Sequence, residues 1–144
     1  MTVVLPDINV LIYAFREGAP EHAAYADWMA GAVGGDTSFA MSDLVLSGFL
    51  RLVSNPRIFN PAVPLPDALD FTNALRGRPN CVHLVPGHGH WAIFDRLCRS
   101  ARAKGNLIPD AYLAALAIEH GCELITADRD FARFSGLQWR HPLG

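Results

Sequence analysis

Four aspartates dominate the chemistry this chain could do: Asp7, Asp110, Asp128 and Asp130. Asp7 follows a short β-branched run, Asp110 opens an alanine-rich segment, and Asp128 and Asp130 follow the apolar run ELIT. Carboxylates gathered at one place repel each other and are costly to desolvate unless a cation neutralises them. Oxygen-only ligation suits Mg²⁺ or Mn²⁺ rather than Zn²⁺, since hard cations take hard ligands. Such an ion can activate water and clamp a phosphate. A plainer account is also available. An aspartate at a helix start is often only a cap or a partner for the helix dipole, and Asp128 and Asp130 could cap the turn after them. Spacing alone leaves both accounts open.

The elements that must position these residues read as an α/β chain. Residues 2–5 form a first strand ending at Pro6-Asp7, so Asp7 falls at a carboxyl end, where open α/β sheets place their chemistry. Helices follow over 10–15 and 21–32, then a strand over 37–41. Ser42 suits the N-cap of the next helix, which Asn55-Pro56 ends. A further helix covers 68–75, a strand 81–85, the loop PGHGH follows, and an amphipathic helix spans 91–103. Pro109 suits a first helical position, Asp110 the first turn, and Gly121 the left-handed stop. A buried strand over 122–126 runs into Asp128, and the tail GLQWRHPLG carries a last short strand.

Length and composition set the frame. One domain over 1–144 is expected, with 51% hydrophobic and 18% charged residues arguing for a packed core and against disorder. No apolar run approaches the ~20 residues of a membrane helix, and the opening residues lack the basic flank of a signal peptide. Cys81, Cys98 and Cys122 form no CxxC pair, so neither a disulfide framework nor a zinc knuckle is expected, and a reducing cytoplasmic setting is. The net charge of −2 gives no global basic footprint for nucleic acid, although a local basic face can coexist with an acidic pocket.

The segments LPDINVLIYA, LVLSGFLRLVSNPRIF, NLIPDAYLAALAIEHG and LITADRDFARFSGLQWRHPL resemble the PIN-domain ribonucleases, and more narrowly the VapC-type toxins of bacterial toxin–antitoxin pairs. The resemblance runs through nearly the whole chain in the right order. It implies a PIN-like three-layer α/β/α domain with a parallel five-stranded sheet, Mg²⁺ or Mn²⁺ at an acidic centre, and endonucleolytic cleavage of RNA. It implies metal ligation by Asp7, Asp110 and Asp128, with Thr126 and Asp130 at polar positions of the same pocket. It also implies a cognate VapB-type antitoxin that occludes the acidic groove, with the chain as a homodimer.

In one place the chain departs from that family. The glutamate usual in the helix after the second strand is replaced by Gly48, and the nearest carboxylate, Asp43, lies on another side of the helix. The number and affinity of bound metals are therefore open. A second reading follows, in which a catalytically weak PIN domain acts mainly as an antitoxin-binding, autoregulatory partner. A haloacid-dehalogenase-like phosphatase fits less well, since it requires DxD where this chain has Asp7-Ile8-Asn9. Arg51 and Arg57 near the departing helix, and Arg96, Arg99 and Arg102 at i, i+3, i+6, are candidate RNA contacts. His88 and His90 read more readily as part of a mobile surface loop than as ligands.

Overall fold

The computed structural model describes residues 2–144. Five parallel strands form one sheet: β1 (Val4–Pro6), β2 (Phe39–Ser42), β3 (Cys81–Leu84), β4 (Glu123–Ile125) and β5 (Trp139–Arg140). Their order is β3-β2-β1-β4-β5. Six helices connect them: α1 (Ile8–Phe15), α2 (His22–Gly34), α3 (Asp43–Val53), α4 (Leu65–Arg76), α5 (His90–Ala101) and α6 (Leu107–His120). A 3₁₀ turn spans Arg129–Arg133.

The chain steps from β1 to β2 to β3 in one direction, then crosses back to β4. Right-handed crossovers place helices α1–α4 on one face of the sheet and α5–α6 on the other. This is the three-layer α/β/α arrangement expected. The direction reverses between β1 and β4, which makes the gap beyond their carboxyl ends the topological switch point. Pro6 pairs with Ile125 there, and the Asp7 N–H donates to the Ile125 carbonyl at 2.8 Å.

The sheet is covered on both sides. Leu5, Phe39, Ala40, Leu124 and Ile125 are fully buried, as a parallel sheet between helical layers requires. Phe49 of α3 meets Phe15 edge-on with ring centroids 5.4 Å apart, which joins α3 to α1. On the other face, α6 buries Ala111, Ala114, Ala115 and Ala117, small side chains that let its backbone lie close to the sheet.

Most boundaries shift by one or two residues from the sequence reading, and three shifts have a physical reason. Helix α1 begins at Ile8 rather than residue 10, because Asp7 itself is its N-cap. Helix α6 begins at Leu107, two residues before Pro109, so Pro109 sits inside the first turn, where an N–H has no intrahelical partner in any case. Helix α4 likewise starts at Leu65 rather than residue 68, with Pro66 in its first turn. Gly121, at φ 67°, ends α6 in the left-handed region as expected, and the Cys122 N–H returns to the Ala117 carbonyl at 2.9 Å.

The PGHGH segment is not a free loop. The Glu119 carboxylate accepts the Gly87 and Gly89 N–H groups at 2.8 and 3.0 Å. His90 is buried at the start of α5, with its Nε2 3.0 Å from the Tyr112 carbonyl. Its aromatic neighbours and that carbonyl give it a structural role.

Candidate active site

The end of β1 and the end of β4 deliver two aspartates to the switch point, and a small polar network fixes their spacing. Asp7 is only 7% exposed. Its Oδ1 accepts the Ile8 N–H at 2.7 Å, and its Oδ2 accepts the Thr126 hydroxyl at 2.8 Å. Thr126, fully buried, also accepts the Asp128 N–H at 3.0 Å. Asn9 completes the tie: its amide reaches Thr126 Oγ1 at 3.2 Å and Asp7 Oδ2 at 3.3 Å, and its Oδ1 accepts the Ala127 N–H at 3.1 Å. The turn after β4 is thus bolted to the start of α1. Asn9 is the site residue the sequence reading left without a role. Its signal was the D-x-N spacing, which lets the amide reach back toward the aspartate two residues earlier.

The opposing side comes from α6. Asp110 stands in its first turn, lining the same cleft of about 350 Å³ as Asp7. Asp110 forms no ion pair among the described residues. Burial, and then the charges of Asp7, Asp128 and Asp130, push its carboxyl up to about 6. Burial also raises Asp7, against the lowering pull of Thr126 and the Ile8 N–H. The capping account of these aspartates is therefore partly right. Asp7 caps α1 and Asp128 Oδ1 caps the 3₁₀ turn through the Asp130 N–H at 2.9 Å. Asp110 caps nothing: it stands in the first turn of α6, where the helix dipole favours it, near three other carboxylates and without an ion pair among the described residues.

That donor chemistry fits a hard divalent cation. The donors are oxygen only, they come from three separated stretches of chain, and the ion pairs among the described residues all lie elsewhere. As the side chains now point, no three His, Cys, Asp or Glu groups among the described residues stand close enough to grip one ion. The fit rests on the type and electrostatics of the donors.

The α3 wall carries the departure at Gly48. A Cβ placed there would lie 2.5 Å from Ile8 Cδ1 and 3.4 Å from Ile8 Cγ1, so Ile8 fills the space a side chain would use. Asp43 does not compensate, since its carboxylate is held by the Arg76 guanidinium at 2.8 and 3.2 Å.

The candidate arginines divide. Arg51 lines the cleft with Asp7 and Asp110. The α5 arginines do not form one free face: Arg99 pairs with Asp95 at 3.1 Å, and Arg96 donates to the Ser135 carbonyl at 3.3 Å. Arg102 has left the helix in a left-handed conformation, φ 51°. Arg57 is exposed on the loop after α3.

A parallel α/β/α sheet with carboxylates gathered at its switch point defines an α/β domain with an acidic cleft, whose oxygen donors suit a divalent cation. Comparison with known proteins narrows the class. The PIN domain model matches residues 4–137. Ribonuclease VapC43 of Mycobacterium tuberculosis is 42% identical over 137 residues, covering 95% of this chain and 93% of that protein. Ribonuclease VapC25 of the same species is 40% identical over 138 residues, covering 96% and 97%. Among solved structures, VapBC-1 from nontypeable Haemophilus influenzae superposes with a TM-score of 0.71 at 17% identity, covering 99% of each chain. The chain belongs to the PIN-domain family, among the VapC ribonucleases.

Proposed function

We propose that this chain is the ribonuclease toxin of a VapBC-type toxin–antitoxin pair and hydrolyses RNA phosphodiester bonds with one Mg²⁺ or Mn²⁺ held by Asp7, Asp110 and Asp128. The observation that carries this reading is the meeting of Asp7 and Asp110 in one cleft, where burial and the charges of Asp7, Asp128 and Asp130 push Asp110 up to about 6. An ion bound there supplies Lewis acidity toward a phosphate and activates water. The chain's own residues do the rest. Thr126 and Asn9 hold Asp7 and the backbone at Asp128 in fixed register, so side-chain rotation at Asp110 and Asp128, with no backbone shift, is what an ion would require. Asp130, exposed beside Asp128, adds negative charge at the mouth of the site. The partner in this reading is a VapB-type antitoxin covering the acidic cleft. The setting is the cytoplasm, which suits the free thiols of Cys81, Cys98 and Cys122. No helix among the described residues is long and apolar enough to cross a membrane.

The purely binding alternative loses ground because the relatives at 40–42% identity over nearly the full chain are named ribonucleases. The test is cleavage of a panel of structured and single-stranded RNAs by the unmodified chain with Mg²⁺, with Mn²⁺ and with EDTA. Cleavage that requires the ion and disappears in Asp110→Asn supports the reading. Cleavage that persists in EDTA removes it.

A further inference from the structure

We propose that Arg51 is the phosphate-binding cation of the cleft and supplies, on the α3 wall, the positive charge that a second metal ion would otherwise bring. The inference rests on the ribonuclease reading and concerns how its substrate is held.

The cleft has a charge division. Its acids, Asp7 and Asp110, come from the β1 end and from α6, whereas α3 contributes Leu44, Val45, Ser47, Gly48 and Arg51. Arg51 is the one charged lining residue on that wall. The wall also lacks a free carboxylate for a second ion. Gly48 has no side chain, and Ile8 Cδ1 occupies the space beside it. Asp43, the one acid of α3, is tied to Arg76 at 2.8 Å. The Ser47 hydroxyl donates back to the Leu44 carbonyl at 3.2 Å.

Arg51 shares with Arg57, Arg102, Arg129 and Arg133 a guanidinium with no ion pair among the described residues, and of these it is the one that lines the cleft. Arg76, Arg99 and Arg140 are ion-paired, Arg96 reaches the Ser135 carbonyl and Arg78 reaches Asn80. Arg51 is exposed, with no ion pair or side-chain hydrogen bond among the described residues. It stands three residues past Gly48, one turn along the same side of α3. A guanidinium is always charged and its fork matches two oxygens of one phosphate. A phosphodiester lying across the cleft meets the carboxylate-held ion on one side and Arg51 on the other. One ion then suffices, and neutralisation on the α3 side costs no dehydration of a second.

The test uses the full chain and its Arg51→Gln and Arg51→Lys variants, with Arg78→Gln as a charge-matched control. Arg78 precedes β3, at the opposite end of the sheet from the cleft. Circular dichroism and thermal unfolding first confirm that each variant folds. Calorimetric titration with Mn²⁺ is expected to give one ion per chain for all four proteins. Binding of a single-stranded oligoribonucleotide, measured against salt in an Asp110→Asn background, is expected to lose about 0.7 of slope in Arg51→Gln. Arg51→Lys keeps the slope, while its kcat/KM stays below that of the parent because a point charge cannot hold two oxygens. In Arg51→Gln, kcat/KM falls about 100-fold, as when one donor to a reacting oxyanion is removed. Arg78→Gln leaves kcat/KM unchanged. Arg51→Gln with unaltered slope and kcat/KM, or two tight Mn²⁺ sites in the unmodified chain, overturns the proposal. An unmodified chain that cleaves no RNA with any ion overturns the ribonuclease reading instead, and this inference with it.

Discussion

The Thr126 hydroxyl donates to Asp7 Oδ2 at 2.8 Å, joining residues 119 positions apart in the chain. The same oxygen accepts the Asp128 N–H and the Asn9 amide. One buried hydroxyl therefore sets the register between the two strand ends that carry the acids.

Replacing it isolates that role. Thr126→Val keeps the volume and removes the oxygen, leaving Asp7 Oδ2 without its buried donor and the Asp128 N–H without its acceptor. The expected loss of stability is about 1–3 kcal/mol by chemical denaturation, the cost of unsatisfied buried polar groups. Mn²⁺ affinity should fall as well. Thr126→Ser retains the oxygen and should recover most of the affinity. Equal affinity in Val and Ser variants would show that the hydroxyl does not orient the site.

Asp110 gives a pH dependence whose sign is opposite to that of a salt-bridged carboxylate. Its folded value, about 6, lies above the ordinary 3.8, so the folded state holds the proton more tightly than the unfolded one. Without metal, stability is therefore greatest below pH ~4 as far as this group is concerned, and declines as pH rises from about 4 to 6. Because the carboxyl is only half-buried, the decline is on the order of 1 kcal/mol after solvent screening. Asp110→Asn should flatten the decline and leave the chain at least as stable as its parent at pH 7. A metal-free parent that gains stability over that interval while the variant does not would contradict the assignment.

Much of this was legible in the sequence because local rules and global fold agree. Asp7 and Asp128 follow apolar strands, and Gly121 stops α6 where a left-handed residue is needed. Asp110 is less direct. Pro109 suggested a helix start at itself, whereas the helix begins at Leu107, since the first turn tolerates a missing N–H at several positions. The contacts of Gly48 were not legible, because Ile8 reaches it from another helix and no spacing rule reports a tertiary contact. Nor was the clasp of Glu119 on the PGHGH turn, whose glycines and histidines read as mobile surface. The i, i+3, i+6 arginines show the limit of periodicity: the spacing is real, but Asp95 and the Ser135 carbonyl engage two of the three.

Gly48 yields a prediction in two stages. Gly48→Glu removes a helix-interior glycine, worth ~1 kcal/mol, but forces Ile8 Cδ1 to swing aside, so its net effect on stability should be within about 1 kcal/mol of zero. The glutamate alone should raise Mn²⁺ affinity less than the double variant does, because the displaced Ile8 side chain still crowds the space beside it. Ile8→Ala combined with Gly48→Glu should raise it, with a second ion appearing in calorimetry. A second tight ion in the single variant would mean that Ile8 moves freely.

The α5 arginines are expected to matter less than Arg51. Arg99→Gln gives up an exposed ion pair with Asp95, worth about 0–1 kcal/mol. Arg96→Gln gives up a contact with the segment after the 3₁₀ turn. The combined Arg96, Arg99 and Arg102 to Gln variant should lower the salt slope of RNA binding by less than about 0.7, under one phosphate contact. A drop of about two units would place RNA across α5.

The central claim is that Asp7, Asp110 and Asp128 hold a catalytic cation, and Mn²⁺ calorimetry paired with RNA cleavage in Asp110→Asn tests it most directly. Asp110 has no ion pair to lose among the described residues, so the variant should fold as its parent does. The account predicts one tight Mn²⁺ per parent chain, at least a tenfold loss of affinity in the variant, and cleavage reduced to background. A folded Asp110→Asn that binds Mn²⁺ as tightly as the parent and cleaves the same RNA at the same rate would contradict it.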